Sequence, residues 1–424
     1  MNCKLTCVEC GQMYAPLEVR YRCDCGGTLD VIHDVQPKNV TPLSTFDGRL
    51  ASKTPADRSG VWRFREYVLP IEQHEICTRG EGNTGLYWSP KIANYVGLSS
   101  ICVKHEGENP TGSFKDRGMT VGITMAQKLG FERVAVASTG NTSASLAAYA
   151  AMIGLQAVIF IPNGQIALGK LGQALAYGAR TLQIDGDFDD AMALVESVSA
   201  SEGLYLLNSV NPFRIEGQKA IGFEILQDLD WEVPDWIVVP GGNLGNNTAI
   251  TKGMRELYEL GLINRLPKVA VIQAAGANPL HVAWQTGGPL KPQKAKTLAT
   301  AIKIGTPISF TKSLRGLRAV NGWVDSVSDD EILEAKAVVD SSGIGAEPAS
   351  CASIAGIRKM VRQGLIGPSD TVCAVLTGHV LKDPGVVVDF HSSALDTTVS
   401  NRFKNKPVQV SADLDAIRRA LEKA

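Results

Sequence analysis

Short apolar runs separated by small and polar residues recur through the middle of the chain, and their spacing predicts strands alternating with helices. The run 134–137 leads through Ser138-Thr139-Gly140-Asn141-Thr142-Ser143-Ala144-Ser145 into an alanine-rich helix ending near Met152. The unit repeats with a strand over 157–161 and a helix over 168–177, then a strand over 180–184 and a helix over 188–200. Further strands are predicted at 101–104, 204–207, 236–239, 268–273 and 372–376, and helices near 330–341 and 349–363. Such alternation defines an α/β protein whose parallel sheets are covered by helices. Residues 35–59, rich in Pro, Asp, Ser and Thr, read as a linker or surface meander. Residues 61–67 read as a short packed segment, and 80–84 as a loop. Over 411–424, Leu414, Ile417 and Leu421 share one face and predict an ordinary packing helix.

Composition narrows the picture mainly by exclusion. The 424 residues are 44% hydrophobic and 20% charged, enough for two core-forming domains. Lysine plus arginine (42) nearly balance aspartate plus glutamate (43), and the basic residues are scattered, so nothing marks a nucleic-acid or membrane partner. The apolar runs are too short to span a bilayer and no signal-peptide core is present, so a soluble, cytoplasmic protein is expected.

Candidate chemistry centres on Lys115. Pro110 and Gly112 predict a turn, and Ser113 followed by Asp116 has the spacing of a helix N-terminus. Lys115 then falls in the first helical turn, where backbone N–H groups and the helix dipole disfavour an ammonium and favour the nucleophilic amine. That is the lysine that Schiff-base chemistry with an aldehyde cofactor needs. An exposed lysine at a fraying helix end is the plainer alternative.

Three loops add polar groups to this lysine. Gly242-Asn243-Leu244-Gly245, after an apolar strand, can cradle one phosphate on backbone N–H groups, or it is simply a tight strand–helix turn. It has neither a Walker A sequence nor a dinucleotide fingerprint. Ser138 to Thr142 offers small hydroxyls and a glycine at a helix start, suited to a carboxylate or to plain N-capping. Asn141 there can donate to a phenolate oxygen. Thr377, at the end of a strand, has a hydroxyl able to meet a ring nitrogen. Reactive lysine, phosphate loop, carboxylate loop and neutral nitrogen partner together match pyridoxal phosphate and an amino acid.

Of nine cysteines, five lie in the first 25 residues. Cys7 and Cys10 form one knuckle, Cys23 and Cys25 a tighter one. Four such thiols suit tetrahedral zinc, though a relic ribbon without metal has the same sequence. Cys77, Cys102, Cys351 and Cys373 read as buried free thiols.

Six stretches together resemble the threonine synthases, a family within the fold type II, tryptophan-synthase-β-like pyridoxal-phosphate enzymes. They are Asn109-Pro110-Thr111-Gly112-Ser113-Phe114-Lys115-Asp116-Arg117-Gly118, residues 138–145, 208–219 and 298–307, Glu347-Pro348-Ala349-Ser350, and Leu376-Thr377-Gly378-His379. The likeness covers about residues 80–385, and the cysteine-rich start is similar to that of archaeal and some bacterial members. It implies two open, twisted α/β domains after a zinc-ribbon-like segment over 1–45. The large cofactor-binding domain would take 46–110 and 206–424, and a small domain carrying the carboxylate loop 111–205. It implies that Lys115 holds the cofactor and shuttles protons, that Asn141 meets its 3-oxygen, Gly242, Asn243, Leu244, Gly245 and Asn246 its phosphate, and Thr377 its pyridine nitrogen. Ser138, Thr139 and Thr142 would face the substrate carboxylate. Arg214, with Asn208, Ser209 and Lys219, would hold the substrate's own phosphate, since a guanidinium fork matches phosphate oxygens; a structural salt bridge is the other reading of Arg214.

The implied reaction turns O-phospho-L-homoserine and water into L-threonine and phosphate, in a homodimer. One departure is Val380, where such enzymes often have glycine. The nearest alternative is a β-replacement enzyme on O-phosphoserine, of the cysteate or cysteine synthase type. A zinc-ribbon binding protein on an inert scaffold is the alternative outside enzymology.

Overall fold

Apolar residues at strand spacing build three sheets in the computed structural model, which describes residues 3–35, 39–163, 168–186 and 188–422. Strands β1 (Cys3–Cys7), β2 (Met13–Tyr14) and β3 (Leu29–His33) pair antiparallel in the order β2-β1-β3. The next two strands are β4 (Leu86–Trp88) and β5 (Cys102–His105). A second sheet comes from β6 (Arg133–Ala137), β7 (Gln156–Pro162), β8 (Arg180–Ile184) and β9 (Tyr205–Leu206), all parallel in the order β8-β7-β6-β9. The remaining strands are β10 (Trp236–Pro240), β11 (Lys268–Ala274), β12 (Trp323–Val327) and β13 (Val372–Leu376). They complete a six-stranded sheet, β12-β11-β10-β13-β5-β4, parallel except where β4 pairs with β5.

The strand–helix repetition expected from the apolar runs is present, with helices Asn141–Met152, Leu168–Ala176 and Phe188–Ser201 after β6, β7 and β8. Parallel strands present all their carboxyl ends at one edge, and the loops leaving that edge collect the site. Helices Lys115–Lys128 and Phe213–Asp228 lie against each other closely enough that a Cβ on Gly217 would fall 1.9 Å from the Arg117 carbonyl, so only glycine fits.

Buried charge fixes the same region. Arg117, fully buried, donates from Nε to Glu106 at 2.6 Å and from Nη2 to Glu224 at 2.5 Å. Lys104 and Arg63 also reach Glu224, at 3.2 and 3.0 Å. About two turns nearer the start of the Phe213–Asp228 helix, His33 and Lys252 meet the Glu216 carboxylate at 2.6 and 2.5 Å, tying β3 to it.

Two expectations are corrected. Residues 35–59 are not a plain linker: Leu43–Leu50 and Pro55–Arg58 are helices, and the ring of Phe46, 1% exposed, packs at a tilt 5.1 Å from that of Phe64. One buried side chain in each short helix, Phe46 and Ala56, leaves little periodicity to read. The C-terminal helix Leu414–Leu421 is not packed, since Leu414, Ile417 and Leu421 are 61%, 43% and 72% exposed. Residues 36–38 and 423–424 of these two stretches lie outside the described residues. Among the described residues no helix is long and apolar enough to cross a membrane.

Candidate active site

Loops from both parallel sheets and the start of the Lys115–Lys128 helix enclose one cavity of about 840 Å³. Lys115 lines it, and so do Ser138, Thr139, Asn141 and Thr142 after β6. Asn208, Ser209 and Arg214 line it after β9, Gly242 to Asn246 after β10, and Thr377 after β13. The convergence follows from strand direction, since each group sits at the carboxyl end of a parallel strand.

Lys115 is the first residue of its helix, as its neighbours predict, but the local cause differs from a Ser113–Asp116 cap. Phe114 holds the N-cap position, and its N–H donates to the Thr377 carbonyl at 3.1 Å, joining helix start to β13. Asp116 turns back instead, accepting from the Thr111 N–H (2.7 Å), the Thr111 hydroxyl (2.6 Å) and the Ser145 hydroxyl (2.6 Å). Burial, with the nearby Arg214 guanidinium, lowers the Lys115 amine from 10.5 to about 7, against the opposing pull of Glu347. The amine does stand at a helix start, but burial and a like charge are what depress it.

The loop after β10 has the features of an anion cradle. Leu244 takes a left-handed conformation (φ 64°) immediately before helix Gly245–Glu259. The N–H groups of Gly242, Asn243 and Leu244 have no backbone acceptor among the described residues, and they point from a loop joined to a helix N-terminus. The Asn243 side chain accepts from the Ile308 N–H at 3.2 Å, anchoring the loop to the 298–307 strap whose Ile302 to Thr306 close the cavity.

On the opposite wall, Gly140 is the N-cap of helix Asn141–Met152, and Ser138 Oγ accepts from the Gly140 N–H at 3.1 Å. Asn141 donates from Nδ2 to both oxygens of Glu347, at 3.2 and 3.1 Å. Asn208 accepts from the Ala137 N–H and donates to the Ala137 carbonyl, both at 2.9 Å, so its amide braces the start of the Ser138 loop. The Thr377 hydroxyl lies 3.0 Å from Ser350 Oγ.

Arg214 is not a salt-bridge residue. Its Nη1 donates to the Leu207 carbonyl at 2.9 Å, no carboxylate meets it among the described residues, and burial lowers it to about 10. Lys219, expected beside it, is a correction. The Lys219 ammonium sits between Glu216 (2.6 Å) and Glu256 (2.5 Å), and it does not line the cavity. Five positions along a helix separate the two, which turns Lys219 well away from the Arg214 face. Val380, the departure noted above, also stays outside the lining, packed 3.3 Å from a Cβ position on Gly345.

Several lining residues were missed. Glu347 and Gln218 are buried in the wall, and Arg22 reaches it from the N-terminal ribbon. A Glu-Pro pair at a helix start was visible for Glu347; Gln218 sits one helical turn from Arg214, a signal available in hindsight; Arg22 has none. Buried polar atoms without a protein partner cluster here: Asn141 Oδ1, Arg214 Nε, Gln218 Oε1 and both amide atoms of Asn246. Buried polar groups are seldom left unpaired, so this cavity is built for a strongly polar ligand. A lysine held near neutrality, a backbone anion cradle and these unpaired polar atoms, donors on Arg214 and Asn246 and acceptors on Asn141, Gln218 and Asn246, fit pyridoxal phosphate.

Separately, the sulfurs of Cys7, Cys10, Cys23 and Cys25 lie within 4.8 Å of one another, with Cys7–Cys25 and Cys10–Cys23 each at 3.5 Å. Of the other five cysteines, Cys77, Cys102, Cys351 and Cys373 are buried free thiols as expected, and Cys3 in β1 is one too.

Residues 77–378 match the family described as "Pyridoxal-phosphate dependent enzyme", and the chain belongs to it. It is therefore an enzyme that uses this cofactor. Within that class it belongs to the threonine synthases: it is 47% identical to threonine synthase of Methanosarcina acetivorans, over 98% of each chain. Threonine synthase of Methanocaldococcus jannaschii is 42% identical over the same share of both. Among solved structures, threonine synthase from Escherichia coli superposes with a TM-score of 0.71 at 20% identity, covering 99% of each chain, which supports the shared fold.

Proposed function

We propose that this cavity converts O-phospho-L-homoserine and water to L-threonine and phosphate. Its central support is a lysine amine lowered to about 7 in the same cavity as a buried guanidinium that no carboxylate meets among the described residues. Lys115 would hold the cofactor, with Gly242 to Asn246 around its phosphate, Asn141 at its 3-oxygen and the neutral Thr377 hydroxyl at its ring nitrogen. When bound, pyridoxal phosphate supplies the electron sink that makes carbon-bound protons of an amino acid removable.

The chain's own groups then divide the work. Ser138, Thr139 and Thr142, at the Asn141 helix start, receive the substrate carboxylate. Arg214, with Ser209 beside it, receives the substrate phosphate, and Asn208 acts by bracing the Ser138 loop rather than by touching substrate. The Lys115 amine, near neutrality, would take one proton from the α carbon and one from the β carbon as the phosphate leaves the γ carbon; one proton then returns to the γ carbon to make the methyl group and one to the α carbon, while water gives its hydroxyl to the β carbon and its proton to the released phosphate or solvent. The full-length likeness to threonine synthases favours this over O-phosphoserine replacement and over an inert scaffold. The test is release of phosphate with threonine from O-phosphohomoserine, lost in Lys115→Ala.

The same reading takes the three sheets as cores of the units 1–45, 46–110 with 206–424, and 111–205, and makes the enzyme a cytoplasmic homodimer. It places zinc among Cys7, Cys10, Cys23 and Cys25. Tetrahedral zinc with bonds of about 2.3 Å sets sulfur separations of ~3.8 Å, close to the observed spacing.

A further inference from the structure

The N-terminal ribbon reaches the cavity through one side chain, Arg22. Its backbone is fixed on both sides. Tyr21 accepts from the Leu206 N–H at 2.7 Å, two residues before Asn208, and its ring packs 5.9 Å from Tyr205. Arg22 itself bridges to Thr28, and Cys23 after it belongs to the four-thiol cluster. The guanidinium is only loosely engaged: Glu196 is 3.8 Å away, and the two side chains are 43% and 38% exposed.

A phosphate monoester brings about −1.5 to −2 charges at neutral pH. Arg214 offers one positive charge and has already given Nη1 to the Leu207 carbonyl. Lys115 is held near neutrality. Among the described residues the remaining lining cations are Lys303 and Arg22. Lys303 follows Ile302, whose Cα lies 3.1 Å from a Cβ position on Gly242, and so belongs to the side of the Gly242 loop. Arg22, next to the Tyr21 that the Leu206 N–H anchors and 3.8 Å from Glu196, comes in from the side of the segment after β9.

We infer that Arg22 is a specificity residue, the second cation for the substrate's phosphate, and that the ribbon serves to hold it at the cavity mouth, with Glu196 as its resting partner. The inference rests on the reading of the cavity as a site for a phosphorylated amino acid. It is tested by steady-state turnover of O-phosphohomoserine by the cofactor-loaded full chain, with inorganic phosphate as a competing probe.

Arg22→Gln should raise both KM and the inhibition constant of phosphate by about 5-fold, the size of a partly exposed charge contact, with the loss of kcat/KM carried by KM. Arg22→Lys should recover part of both. Glu196→Gln, which removes the competing carboxylate, should shift both constants the other way. Unchanged constants in Arg22→Gln would overturn the inference, and so would a fall in kcat alone, which would make Arg22 a structural part of the ribbon. A wild-type enzyme that released no phosphate would instead overturn the reading of the cavity, and the inference with it.

Discussion

The Asn141 amide donates to both carboxylate oxygens of Glu347, at 3.2 and 3.1 Å, across the cavity wall. This contact joins the start of the Asn141–Met152 helix to the start of the Pro348–Arg362 helix, and it holds a carboxylate where Lys115 senses it. Arg214 acts on the same amine with the opposite sign. The lysine's acidity is thus set by burial and balanced between two charges.

That balance predicts a pH dependence. Only the unprotonated amine attacks an aldehyde, so the rate at which cofactor-free protein takes up pyridoxal phosphate should rise with pH around a midpoint near 7. Arg214→Gln removes a like charge and should move the midpoint up; Glu347→Gln removes the opposing charge and should move it down. Absorbance-monitored reconstitution at a series of pH values measures it, and a midpoint near the ordinary 10.5 would contradict the assignment.

The buried cluster around Arg117 makes a prediction about stability. Arg117→Met leaves Glu106 and Glu224 buried without their main partner, which should cost about 3–5 kcal/mol in urea unfolding at neutral pH. Burial alone would raise the Glu224 carboxyl, but Arg117, Lys104 and Arg63 pull it from 4.5 to about 2. A depressed carboxylate contributes stability above its ordinary value and loses it as pH falls through the lowered one. The wild-type penalty should therefore grow between about 4.5 and about 2. Adding Glu224→Gln to Arg117→Met should restore part of the loss.

For the ribbon, metal analysis of the purified chain should find about one zinc, and Cys25→Ser should lose it and unfold at a lower temperature. A stable, zinc-free wild type would argue for a relic ribbon.

Asn208 should behave as a brace. Asn208→Ala removes a buried pair of hydrogen bonds to Ala137 and should cost about 1–3 kcal/mol of stability while raising KM through a looser Ser138 loop. A large fall in kcat with unchanged stability would instead put its amide on the substrate.

Much of this site was legible because its backbone carries it. Turn and helix-start residues announce the loops at 138–142 and 242–246, and the alternation of apolar runs marks the strands they follow. Side-chain direction is where the reading stopped. Lys219 has the charge a phosphate site wants, yet the helix turns it onto Glu216 and Glu256. Asn208 has the right chemistry and spends it on Ala137. Glu347 and Arg22 both enter the cavity from segments far away in sequence; the Glu-Pro helix start marks the first, and no local pattern marks the second. Phe46 and the exposed Leu414 face failed for a related reason, since a short amphipathic stretch does not say whether anything covers it.

The central claim is that the Lys115 amine carries the cofactor and the protons of threonine formation. The most direct measurement is threonine and phosphate production from O-phosphohomoserine by wild type and Lys115→Ala, each supplied with pyridoxal phosphate. The account predicts equimolar products from the wild type, and loss of both turnover and the visible absorbance of lysine-bound cofactor in the variant. Undiminished threonine production by Lys115→Ala would contradict it.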